Sequence, residues 1–325
     1  MQEQTGKIPV TLLTGYLGAG KTTLLNRILT EQHGKKYAVV VNEFGEEGID
    51  NDLVIDADEE IFEMNNGCIC CTVRGDLIRI MSGLLKRADQ LDGVLIETTG
   101  LADPAPVIQT FFVDDDLRDR IALDSVVTMV DAKHFLETVD EAHECEEQIA
   151  FADTIVINKA DLVSKDGIGA VESKIRSLNQ FAEIHVTEKA DLALDAVLDR
   201  GSFDLKRLQE LEPGFLDEDP EDHEHDDSIT SVSLIATAPI VPERFSKWMR
   251  EFIQARGVDV LRTKGIIALA GYEQRYVFQG VHMVMDSDWG RDWQPDEDRQ
   301  SRLVFIGRNL DQQELESAFR ACAAA

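Results

Sequence analysis

Short apolar runs alternate with helix-spaced apolar positions through roughly the first 200 residues of the chain. Ile8–Thr14 (IPVTLLT), Tyr37–Val41, Asp92–Glu97 (DGVLIE), Ser125–Val130, Thr154–Ile157 and Glu183–Val186 read as strands, with Glu59–Met64 as a further one. Between them, Thr22–Glu31, Asp76–Arg87, the stretch from Pro104 to Phe112 and Ala170–Leu178 carry apolar residues at the helical period, in Asp76–Arg87 through Leu77, Ile80, Leu84 and Leu85. Continuous apolar strands separated by helices predict an α/β fold: a mostly parallel sheet with helices on both faces.

The pattern changes at Leu211–Asp227, where LDEDPEDHEHDD is dense in acid and poor in apolar groups and reads as an exposed linker. Beyond it, Ile229–Ile235 alternates like a half-buried strand. Pro242–Arg256 places Phe245, Trp248, Met249, Phe252 and Ile253 on one helical face. Strands at Ile266–Ala270, Arg275–Gln279 and Arg302–Ile306 and a helix from Asp311 to Cys322 complete a small α+β unit. A chain of 325 residues suits two domains. The expected division is a nucleotide-binding domain over 1–205, a linker over 206–228 and a C-terminal domain over 229–325.

Charge narrows the classes of partner. The chain has 62 acidic and 32 basic residues, a net charge of −30, which repels nucleic acid and anionic lipid. No apolar run approaches the roughly 18 residues of a spanning helix. The polar segment Met1–Pro9 lacks the apolar core of a signal peptide, so the expected location is the cytoplasm, with no membrane partner.

The chemistry concentrates in three motifs. Gly15-Tyr16-Leu17-Gly18-Ala19-Gly20-Lys21-Thr22 satisfies G-x-x-x-x-G-K-[ST] between a strand and a helix. Glycines there let backbone N–H groups surround phosphate oxygens, and the helix N-terminus adds partial positive charge. Lys21 is expected to reach the β- and γ-phosphates and Thr22 to place its hydroxyl on Mg²⁺. Gly15, Gly18, Ala19, Gly20 and Thr23 form the remainder of the cradle. Asn158-Lys159-Ala160-Asp161 follows a strand as N-K-x-D. Asp161 can accept two hydrogen bonds from guanine, which adenine cannot donate, so GTP is expected over ATP. Glu97-Thr98-Thr99-Gly100 ends another strand, where Glu97 is a candidate Mg²⁺ holder or a capping carboxylate, and Gly100 could offer its N–H to the γ-phosphate. Asp103, Glu43 and Glu46 are candidates to position the attacking water.

Five cysteines, an odd number, include three within four residues: Cys68, Cys70 and Cys71. That clustering argues against a disulfide framework. Thiolates bind a soft cation such as Zn²⁺ at about 2.3 Å, and three supply at most three ligands, which suits transfer better than a closed structural site. A redox pair formed by Cys68 and Cys71, or inert buried thiols, are the alternatives. His134 could approach this region, while His223 and His225 lie in the acidic stretch.

GYLGAGKTT, NEFGE at Asn42–Glu46, NGCICC at Asn66–Cys71, ETTGLADP at Glu97–Pro104 and NKAD together resemble the CobW-type metallochaperone GTPases. KGI at Lys264, FQGVH at Phe278 and VFIG at Val304 resemble that family's C-terminal domain, and DPAPVIQTFF and DWGRDW are most similar to its YjiA-like branch. The resemblance implies GTP hydrolysis coupled to delivery of a transition metal, usually zinc, to a client metalloprotein. It implies metal on Cys68, Cys70 and Cys71, with Glu46 and His134 as secondary ligands. Val41 departs from the glutamate that some of that branch carry before NEFGE. A homodimer dependent on metal or nucleotide is compatible with this reading. A nucleotide-dependent interaction module with structural zinc, and an ATP-dependent enzyme, are the alternatives.

Overall fold

The computed structural model describes residues 7–31, 34–42, 61–64, 72–203, 229–294 and 297–324. The chain divides into two compact units, Met1–Lys174 with Ala182–Gly201, and Ile175–Phe181 with Ser202–Ala325. Elements run in the order β1 (Ile8–Gly15), α1 (Lys21–Thr30), β2 (Tyr37–Asn42), β3 (Ile61–Met64), α2 (Thr72–Leu84) and β4 (Gly93–Glu97). They continue with α3 (Ala105–Val113), α4 (Asp115–Arg120), β5 (Ile121–Asp131), α5 (Phe135–Glu141), α6 (His143–Phe151), β6 (Thr154–Asn158), α7 (Lys165–Leu178) and β7 (Glu183–Val186).

These strands form one seven-stranded sheet in the order β3-β2-β4-β1-β5-β6-β7. Every pairing in it is parallel. β4 and β6 are buried along their whole length, as parallel strands covered on both faces must be, and this accounts for the apolar runs Val94–Ile96 and Ile155–Ile157 within them. On α1, Leu24, Leu25 and Ile28 recur at helical spacing and pack into one core with Val39, Leu95 and Val127 of the sheet. Because all seven strands run the same way, their C-terminal tips share one edge of the sheet, and the loops leaving β1, β4, β5 and β6 open there together.

Three helices of this sheet are invisible to apolar periodicity. α4 is built by its ends: Asp114 Oδ1 accepts from Leu117 N at 3.0 Å, acids fill the first turn, and Arg118 and Arg120 fill the last. α5 and α6 carry acidic residues between their buried positions and follow one another with only Ala142 between. α7 starts at Lys165, five residues before the expected Ala170, because Gly167 and Gly169 weaken the helical pattern of its first turns. Ser164 Oγ nonetheless caps it, accepting from Gly167 N at 3.2 Å.

The second unit holds β8 (Ile229–Ala236), α8 (Pro242–Arg256), β9 (Val260–Ala268), β10 (Gln274–Val281), β11 (Val284–Asp292), β12 (Ser301–Arg308) and α9 (Gln312–Ala321). Its antiparallel sheet has the order β11-β10-β9-β12-β8. Phe245 and Met249 of α8 and Phe319 of α9 pack on Phe278, Leu303 and Phe305 of the sheet. The helix predicted over Pro242–Arg256 has those bounds. β11 (VMDSDWGRD) is an edge strand with mostly exposed side chains, so its sequence shows no apolar alternation to read.

Candidate functional site

The turn from β1 into α1 carries the phosphate-loop motif. Gly15, Gly18 and Gly20 have φ of 131°, 75° and 109°, values that side chains rarely adopt. Lys21 is buried, and its Nζ folds back over the loop to Gly15 O at 2.8 Å and Tyr16 O at 3.4 Å, which puts the ammonium inside the cradle. Thr23 is exposed on the outer side of α1.

The neighbouring strand tips complete the site. β4 pairs with β1 so that Glu97 lies opposite Leu13, and Thr22 Oγ1 donates to Glu97 Oε1 at 3.4 Å. A hydroxyl and a buried carboxylate brought together at the base of a phosphate loop are hard oxygen donors, the set that suits Mg²⁺. Thr98 Oγ1 donates to Thr14 Oγ1 at 2.9 Å and fastens the start of the Thr98–Gly100 loop to β1. Asp103 Oδ1 accepts from Ala105 N at 2.8 Å, so this carboxylate helps to start α3.

On the other side, Asn158 is buried at the tip of β6. Its Nδ2 donates to Ala19 O at 3.1 Å, and its Oδ1 accepts from Ala190 N at 2.9 Å and Thr187 Oγ1 at 3.4 Å. Asn158 therefore ties the phosphate loop to the loop after β7. Lys159 stands in the left-handed region at φ 59°, and its Nζ donates to Asp131 Oδ2 at 2.7 Å. Asp161 is exposed in the short 3-10 turn that follows, where a base could reach it.

Asp131, at the tip of β5, anchors this side of the site. Burial acts to raise its pKa but is outweighed by hydrogen bonds from Lys159, His134 and the Lys133 N–H, which hold the carboxyl below its ordinary value. His134 Nδ1 lies 3.0 Å from Asp131 Oδ2, and the side chain is 56% exposed at the start of α5. Neither Asp131 nor the tethering role of Asn158 stands out in the sequence. The one visible signal for Asp131 is an acid closing a long apolar strand.

The expected ligands Cys68, Cys70, Cys71 and Glu46, together with Glu43, His223 and His225, lie outside the described residues. Among the described residues no group of three or more His, Cys, Asp and Glu side chains is placed to hold a metal ion. Cys145 and Cys322 are buried free thiols. Burial, with Glu146 and Glu144 nearby, pushes Cys145 up to about 12, so it remains a thiol. Among the described residues no helix is long and apolar enough to cross a membrane.

Comparison with known proteins agrees with this geometry. Residues 9–186 match the model of the CobW/HypB/UreG nucleotide-binding domain. Residues 229–323 match that of the cobalamin synthesis protein cobW C-terminal domain. The zinc chaperone YjiA of Escherichia coli is 36% identical over 96% of this chain and 98% of its own. Zinc-regulated GTPase metalloprotein activator 1 of Dictyostelium discoideum is 32% identical over 97% of this chain and 80% of its own. The crystal structure of Zn(II)-bound YjiA GTPase from E. coli superposes with a TM-score of 0.79 at 31% identity, covering 98% of this chain and 99% of that one. With both family models matched in sequence, and with relatives above 30% identity covered along nearly their whole length, this chain belongs to the CobW/HypB/UreG nucleotide-binding family in the form that carries the cobW C-terminal domain.

Proposed function

We propose that this protein is a GTP-hydrolysing zinc chaperone in which the state of the nucleotide governs how tightly Cys68, Cys70 and Cys71 hold the metal before it passes to a client metalloprotein. Zinc is cargo in this reading. Lys21 and the loop Gly15–Gly20 grip the phosphates, Gly100 faces the γ-phosphate, and Asp161 selects guanine over adenine by accepting two hydrogen bonds that only guanine donates. Thr22 and Glu97 would hold Mg²⁺, which neutralises phosphate charge when bound.

One observation carries the coupling. In the sheet register Val41 lies opposite Glu97, and Asn42 lies opposite Met64. The segment bearing the three cysteines runs from Met64 to Thr72, so it leaves the sheet at the edge where the nucleotide is gripped. With strands about 4.8 Å apart, its point of departure is roughly 10 Å from the row of Glu97. A γ-phosphate that reorganises the loops at this edge acts, in this reading, about two strands from the end of β3, after which the cysteines follow in the chain. The names of the zinc chaperone and zinc-regulated GTPase relatives support the choice of metal and nucleotide. This reading takes 1–205 as the nucleotide-binding domain, 206–228 as an acidic linker and 229–325 as the C-terminal domain.

The reading is tested by loading the purified protein with zinc and following transfer to a chromophoric chelator during GTP turnover. Transfer that accelerates with hydrolysis is expected. Lys21→Ala should abolish that acceleration while zinc still binds, and Cys71→Ala should lose zinc while GTP still binds. Transfer at one rate with GTP, GDP or no nucleotide would overturn the proposal.

A further inference from the structure

Gln148 of α6 is completely buried, and its side chain reaches the loop that follows Glu97. Its Nε2 donates to Gly100 O at 3.2 Å and to Ala102 O at 3.1 Å. Both N–H groups of the amide are thus spent on the two carbonyls that flank Leu101, which fixes the amide orientation, since a flipped oxygen would face two acceptors. The residue is itself anchored: Thr128 Oγ1 on β5 donates to Gln148 O at 2.8 Å. Its Oε1 is enclosed and has no hydrogen-bond partner among the described residues.

The loop held in this way touches the phosphate loop. A Cβ on Gly100 would lie 2.6 Å from Leu17 N and 2.8 Å from Leu17 Cα, so only glycine lets the two backbones meet. Gln148 also borders a cavity of about 130 Å³ shared with Tyr16 and Leu17, which gives the contact room to shift. One amide therefore connects α6 to the strip of backbone that must respond when a γ-phosphate is present.

Resting on the GTPase reading above, we propose that Gln148 is a positioning residue for hydrolysis. Its two donors set the place of Gly100 against the phosphate loop, and its enclosed Oε1 offers an acceptor to a backbone N–H when the loop moves. Its contacts run to the backbone of Gly100 and Ala102, and it acts through Gly100.

The test compares the full chain with Gln148→Met, which keeps the length and removes both donors, and with Gln148→Glu, which keeps size and polarity. Steady-state GTP hydrolysis, GDP affinity and Tm are measured for each. Loss of two buried hydrogen bonds to the loop should lower kcat for Gln148→Met by about 10- to 30-fold. GDP affinity and KM should stay within about twofold of the parent, because the phosphate loop itself is untouched. Gln148→Glu should donate only when protonated, so its kcat should fall as pH rises, with a titration absent from the parent. Unchanged kcat in Gln148→Met, or kcat and GDP affinity falling together, would overturn the proposal. If the Met variant fails to bind GDP, a Gln148→Glu profile parallel to the parent's overturns it instead. No hydrolysis by the parent chain would count against the GTPase reading and not against this residue.

Discussion

Replacing Asn158 by alanine separates two roles that a base-recognition motif usually merges. The side chain makes two good buried hydrogen bonds, to Ala19 O at 3.1 Å and from Ala190 N at 2.9 Å, and a longer one from Thr187 Oγ1 at 3.4 Å. Truncation deletes these bonds and leaves a carbonyl and an N–H enclosed without partners. At about 1–2 kcal/mol for each of the two shorter bonds, the loss is about 2–4 kcal/mol of stability. For a unit of this size each kcal/mol lowers Tm by about 2–4 °C, so a fall of about 10 °C is expected by calorimetry. The half of the effect at Ala19 loosens the phosphate loop. GTP and GDP affinities measured by titration calorimetry should fall together, by about fivefold, because the loop grips phosphates common to both. A Tm within 1–2 °C of the parent (about the error of such a scan), or a loss confined to GTP, would refute the tethering role.

Asp161→Ala should leave Tm unchanged, since the carboxylate is exposed, and should lower GTP affinity by at least about tenfold without improving ATP, read by competition titration. Asp131 has its folded-state pKa below the ordinary 3.8, so its contribution is fully present above about pH 5 and is lost as pH falls through the lowered value. The gap in urea midpoint between the parent and Asp131→Asn should therefore be level above about pH 5 and shrink below about pH 4. A gap independent of pH would show that the carboxylate is not held by Lys159 and His134 in the way described.

The sequence exposes the parts of this protein that physics makes local. Buried parallel strands are mostly apolar, so β1, β4 and β6 are readable from their own residues, and the phosphate loop is legible because its glycines and Lys21 sit at fixed spacing. α8 is legible because its aromatic face repeats at the helical period. What stays hidden depends on partners distant in the chain. Asp131 matters because Lys159 and His134 converge on it, and Asn158 because Ala19 and Ala190 lie on either side. Gln148 looks like one more polar residue in an acidic helix until the fold brings Gly100 and Ala102 to its amide. β11 hides for the opposite reason, since an edge strand with exposed side chains need not alternate.

The proposed coupling is between nucleotide at the phosphate loop and zinc on Cys68, Cys70 and Cys71, so that filling one site changes the other. Zinc affinity measured by competition with a chelator, in the presence of a non-hydrolysable GTP analogue and again with GDP, tests it most directly. The account predicts at least about fivefold tighter zinc binding with the analogue, and the same factor in analogue affinity when zinc is present, because such coupling is reciprocal. Equal zinc affinity in the two nucleotide states would contradict it.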